Sequence, residues 1–120
     1  MKENVTTQKT FDFAIRIVNC YKYLIEEKTE FIMSKQLIRS GTSIGANTVE
    51  AFGGISKADF SAKISIAYKE CQETQYWLKL LYRTQYLTDK IYQSMMNDAH
   101  EIGKILYAIL YKTRIQHHKK

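Results

Sequence analysis

A chain of 120 residues with 45% hydrophobic and 25% charged residues forms one domain, large enough for a core and too apolar for wholesale disorder. Its formal charge of +6 favours polyanionic over acidic partners, although a surplus of that size also simply keeps a small protein dispersed. Proline is absent and only five glycines occur, so the composition points to long helices joined by short turns.

The basic excess is zero over the first quarter of the chain and +3 over the last, where His100, His117 and His118 also lie. The opening MKENVTTQKTFDF lacks the apolar core of a signal peptide, and the longest apolar run, Ile105 to Tyr111, is far short of a membrane span. Cys20 and Cys71 fall inside helical patterns with no CxxC spacing. They read as reduced core residues of a cytoplasmic protein.

The first helix is predicted over about 6–28, with Phe13, Ala14, Ile17, Val18, Tyr21, Leu24 and Ile25 on one face. Asp12, Arg16, Asn19, Lys22 and Glu26 lie largely opposite, and Thr29 is placed to cap the next helix.

The second helix, about 31–52, contains the small-residue stretch QLIRSGTSIGANTVEA. A phosphate-binding loop would need GxxxxGK and then Ser or Thr after a strand. Here Gly41 and Gly45 have three residues between them and no lysine following, so that reading fails. Leu37, Gly41, Ile44, Thr48 and Ala51 step instead by four, three, four and three, as a helix face does. Each interior glycine costs roughly 1 kcal/mol against alanine, and close approach of a neighbouring helix would offset that cost. Gly53 suits the C′ position that ends the helix.

The third helix, about 57–84, starts at Ser56 as N-cap with Asp59 three residues on. Phe60, Ile64, Ala67, Cys71, Thr74, Leu78 and Leu81 form its stripe over roughly 40 Å. The fourth, about 88–113, opens at Thr88 and Asp89 and carries Ile91, Met95, Ala99, Ile102, Leu106 and Ile109. A basic tail is predicted over 114–120. Short linkers make successive helices antiparallel, so the fold class is all-α: a single-domain (1–120), antiparallel up-down-up-down four-helix bundle.

Gln36, Ser40, Ser43, Asn47 and Glu50 form a polar stripe on the second helix, flanked by Arg39. Lys63, Ile66, Glu70, Glu73 and Trp77 mirror it on the third. Two arrangements fit. One is a cross-helix polar seam, with Arg39 pairing Glu70 or Glu73, Glu50 near Lys63, and Trp77 closing one end. The other is a pair of solvated faces.

The segment SKQLIRSGTSIGANTVEA, followed by SKADFSAKISIAYKECQETQYWLKLL, resembles the four-helix-bundle proteins encoded in intervening sequences of bacterial 23S rRNA genes. The resemblance runs from Lys9 to about Tyr111. It rests on Arg39 to Asn47, on Glu50-Ala51, and on Glu73-Thr74 with Tyr76-Trp77. Thr48 departs from the Ile common there, and Gln75 from Lys or Arg. The resemblance implies a homopentamer of bundles without enzymatic activity. A related group, the accessory proteins of diversity-generating retroelements, implies that RNA or DNA is a partner.

No catalytic, cofactor or metal constellation is apparent. Di-iron bundles need Glu-x-x-His, whereas this chain has Glu70 and Glu73 at that spacing, with His100 beside Glu101. Ser43 or Cys71 as a nucleophile would need a positioned histidine. Tyr21-Lys22-Tyr23, Tyr82-Arg83 and Tyr111-Lys112 interleave rings with cations, which suits either stacking on bases or a subunit interface. The expected function is a homo-oligomeric bundle contacting phosphates through Lys104, Lys112, Arg114, Lys119 and Lys120, with Lys79 and Arg83 behind them. The alternative is a scaffold for a protein partner with no nucleic-acid role. No membrane partner is expected.

Overall fold

The computed structural model describes residues 4–118, with side chains described as far as 113. Four helices, α1 (Val5–Glu26), α2 (Met33–Phe52), α3 (Lys57–Arg83) and α4 (Asp89–His118), form an antiparallel up-down-up-down bundle measuring 52 × 25 × 22 Å. No strand occurs among the described residues.

Three helix starts are set by side chains that accept orphan N–H groups. Asn4 Oδ1 takes Thr7 N–H at 2.7 Å, Ser56 Oγ takes Asp59 N–H at 3.0 Å, and Thr88 Oγ1 takes Ile91 N–H at 3.2 Å. The start of α2 departs from expectation, because Thr29 does not cap it. Thr29 instead adopts a left-handed φ of 49° that turns the chain, and its hydroxyl bonds to the Lys28 carbonyl. The buried Glu30 carboxylate does the capping, accepting from the N–H groups of Ile32, Met33 and Ser34 at 2.7 to 3.2 Å. Two oxygens carrying a negative charge satisfy three donors at the positive helix end, which one hydroxyl could not do.

The end of α3 is a Schellman motif: Tyr86 N–H bonds to Leu81 O and Gln85 N–H to Tyr82 O, with Gln85 at a left-handed φ of 72°. Gly53 caps α2 at a φ of −94°, so it does not use the left-handed conformation expected of a C′ glycine. Helix α4 runs past the expected end at about residue 113 and continues to His118, while residues 119–120 of the expected basic tail lie outside the described residues. The apolar periodicity read from sequence stops near Thr113, but Arg114 to His118 contain no helix breaker, and cations suit the negative end of the dipole.

The core runs the length of the bundle through Phe13, Ile17 and Leu24, Leu37 and Ile44, Ile64 and Leu78, and Met95 and Leu106. Fully burying one such side chain contributes about 1.5–3 kcal/mol. The α1–α2 contact is tight at the two interior glycines. A β-carbon on Gly45 would lie 3.3 Å from the Thr10 backbone carbonyl oxygen, and one on Gly41 would collide with Ile17. The fourth seam, between α1 and α4, is the thinnest of the bundle and is bridged by Lys9–Glu101 and Arg16–Asp98 ion pairs.

Candidate nucleic-acid interface

Because α3 buries Ala67, Cys71, Thr74 and Leu78, helical geometry turns a fixed set of residues outward. Lys69, Gln72, Tyr76, Lys79 and Arg83 succeed one another at three- and four-residue steps, and all are exposed. No acid interrupts this stripe. The acids of the same helix segment, Glu70 and Glu73, turn toward α2 and are held by Arg39. On α4, His100, Lys104 and Tyr107 are exposed on the flank beside α3. Between the helices lies a groove of about 430 Å³ lined by Tyr68, Gln72, Gln75, His100, Lys104 and Tyr107. Tyr68 and Tyr107 stand with ring centroids 5.9 Å apart, tilted by 50°.

Of the phosphate contacts expected from sequence, Lys79, Arg83 and Lys104 belong to this α3–α4 side. Lys112 is exposed farther along α4, at helical spacing that puts it on the flank of Ser94 and Glu101. The Arg114 side chain, Lys119 and Lys120 lie outside the described residues. Sequence reasoning missed Lys69, Gln72 and Tyr76. Their signal was the three-four spacing with Lys79 and Arg83, on the face opposite the apolar stripe.

The polar stripes of α2 and α3 meet at a seam that is buried inside and wet outside. Arg39 pairs with both Glu70, at 3.2 Å, and Glu73, and Trp77 Nε1 donates to Glu73 at 2.9 Å. Lys63 meets Glu50 at 2.9 Å. Deeper, the fully buried hydroxyls of Ser40 and Thr74 lie 3.0 Å apart across the helices. Asn47 donates instead to the Ser43 carbonyl of its own helix, so these two give the helix a small polar flank. The Arg39 side chain is 47% exposed, so its ion pairs contribute on the order of 1 kcal/mol at most.

Burial pushes the Cys20 thiol up to about 11 against the opposing charge of Arg16, and burial likewise raises Cys71 against a hydrogen bond from Gln75. Both therefore stay protonated and unreactive at neutral pH. Among the described residues, no three His, Cys, Asp or Glu side chains cluster as metal ligands. Tyr82 stacks on Tyr92 at 4.2 Å and donates to Asp89. That hydrogen bond, and then the Asp89 charge itself, raise the Tyr82 phenol above its ordinary value. No helix of the described residues is long and apolar enough to cross a membrane.

The family model for 23S rRNA-intervening sequence proteins matches residues 2–108. The chain is also similar to a crystal structure from Bacteroides thetaiotaomicron, a protein of unknown function from the S23 ribosomal protein family. The two share 55% identity and a TM-score of 0.89 over 92% of this chain and 99% of that one. No curated protein matches. With the bundle and the Arg39–Glu70–Glu73 seam in place, the family match over most of its length makes this chain a member of the 23S rRNA-intervening sequence protein family.

Proposed function

We propose that the protein is a non-enzymatic, homo-oligomeric bundle that binds RNA or DNA through phosphate contacts on its α3–α4 side. The carrying observation is the acid-free stripe Lys69, Gln72, Tyr76, Lys79 and Arg83, with Lys104 facing it across the groove. Cations spaced along a rod, with their carboxylate neighbours drawn to the opposite flank, give one side of the bundle a field that suits a polyanion.

Self-association is supported by the opposite side. Between α1 and α2, Phe11 (60% exposed) and Val49 (54% exposed) flank a groove of about 470 Å³ floored by Ala14, Gly45 and Ala46. Apolar surface of this kind seeks cover, and a second copy of the chain leaves the basic side free. A pentamer is the assembly that the family resemblance implies. The same apolar surface favours the second reading, a scaffold for a different protein.

Titrating mixed RNA and DNA fragments at increasing salt tests the proposal. Four phosphate contacts to a single strand would give a log–log slope of about −3. Undetectable affinity at low salt, or a slope near zero, defeats it. A monomeric mass after nuclease treatment defeats the self-association part.

A further inference from the structure

We infer that the groove between α3 and α4 is a seat for one unpaired base, so that single-stranded nucleic acid is the preferred ligand of this side. The inference rests on the nucleic-acid reading above and narrows it to a ligand class.

Tyr107 presents its ring at the groove with 54% of its surface exposed. A base held between two rings needs them separated by twice the stacking repeat of about 3.4 Å. Tyr68 stands too near for that, at 5.9 Å and tilted by 50°, so a base at the groove stacks on Tyr107 alone. Gln75 Nε2 lies 3.2 Å from Gln72 Oε1. That bond leaves the Gln72 amide N–H groups and the Gln75 carbonyl oxygen to meet the hydrogen-bonding edge of a base. Lys104, one turn before Tyr107, supplies a cation for the adjoining phosphate.

Gly103 lines the same groove in the interior of α4. Unlike Gly41 and Gly45, it is not required by packing. A β-carbon there would meet Cys71 Sγ and Gln75 Nε2 at an ordinary 3.6 Å. A glycine in a helix interior where a methyl would fit leaves the floor under Gln75 clear. Duplex nucleic acid hides its base faces in the stack and reaches only the cations, whereas an unpaired strand offers a face to an aromatic ring.

The test compares three labelled probes at one salt concentration: a short single strand of mixed sequence, an abasic strand of equal length, and the duplex. With wild-type protein, the base-bearing strand binds about tenfold tighter than the abasic one. Tyr107→Ala removes that advantage and leaves abasic and duplex binding unchanged, while Tyr107→Phe keeps it. Gly103→Ala, which raises the melting temperature, weakens the base-bearing strand alone. Equal binding of base-bearing and abasic strands, or an inert Tyr107→Ala, overturns the seat while leaving the phosphate-binding reading intact. Absence of binding to all three probes at low salt overturns both.

Discussion

A β-carbon on Gly41 would stand 2.6 Å from Cγ1 of Ile17 and 2.7 Å from its Cδ1 and Cγ2, a side chain with no exposed surface and little rotamer freedom. Helix α2 therefore tolerates its glycine because α1 occupies the space. Gly41→Ala gains about 1 kcal/mol of helix propensity but loses about 1–3 kcal/mol to overpacking, so the net effect is destabilising. Gly41→Leu costs more still. Chemical denaturation of Gly41→Ala, Ile17→Val and the double variant checks this: the smaller side chain at 17 should recover part of the loss. Strict additivity of the two substitutions would refute the contact.

The same pair shows how far the sequence could be read. GxxxG inside a three-four pattern announced a close approach, since glycine in a helix interior demands a reason, though the partner, Ile17 and the Thr10 carbonyl, emerged only from the packed bundle. Arg39 pairing with Glu70 or Glu73 was one of two arrangements the sequence left open, because i, i+3 spacing on antiparallel helices fits a seam or a pair of solvated faces. The packed bundle holds Arg39 against both acids. Capping at Glu30 was not legible. Thr29 and Glu30 both precede the helix, and a left-handed turn at residue 29 decides which side chain reaches the N–H groups. The groove around Gly103 depends on the register of α4 against α3, which no local pattern encodes.

Glu30 gives a pH dependence whose sign follows from its environment. Burial works against its charge, but the N–H groups of Met33, Ser34 and Ile32 outweigh burial and hold the carboxyl below its ordinary value. A carboxyl depressed in the folded state contributes stability above the unfolded value and loses it as pH falls toward the folded one. Glu30→Gln is expected to cost about 1–2 kcal/mol near neutrality. Denaturation from neutral pH into the acid range should show that difference shrinking as pH drops below the usual carboxylate range. A gap that persists unchanged at the acid end would mean the charge is not what caps α2.

Gln85 holds the left-handed position of the Schellman motif without being glycine. An L-residue there carries about 1–2 kcal/mol of steric cost, partly offset by the greater entropy glycine loses on folding. Gln85→Gly should therefore stabilise the fold by about 0.5–1 kcal/mol, read as a higher denaturation midpoint at constant slope. A lower midpoint would show that the Gln85 side chain makes a compensating contact.

Phe11 and Val49 test the apolar α1–α2 side. Both are more than half exposed, so Phe11→Lys should leave the unfolding free energy of a dilute sample within about 0.5 kcal/mol of wild type. If that side joins copies of the chain, the solution mass of Phe11→Lys falls while its helical content is kept. An unchanged oligomer would move the interface elsewhere, and a wild-type monomer would remove it.

Lys79 and Lys9 distinguish an exposed cation from an ion-paired one. Lys79 is exposed on the acid-free stripe, whereas Lys9 is bound to Glu101 across the α1–α4 seam at 3.1 Å. Both substitutions, Lys79→Ala and Lys9→Ala, lower the net charge by one, so a protein that attracts nucleic acid by overall charge alone would respond equally to either. A protein that places phosphates on α3 responds only to the first. Lys79→Ala should then reduce the magnitude of the salt slope by about 0.7 for single strands and weaken binding uniformly across sequences. Lys9→Ala should leave the slope unchanged. Lys69→Ala and Arg83→Ala should repeat the Lys79 result, and combining the three should flatten the slope to what Lys104 alone sustains. Equal effects of Lys9 and Lys79 would reduce the interface to a diffuse positive field, with no preferred side of the bundle.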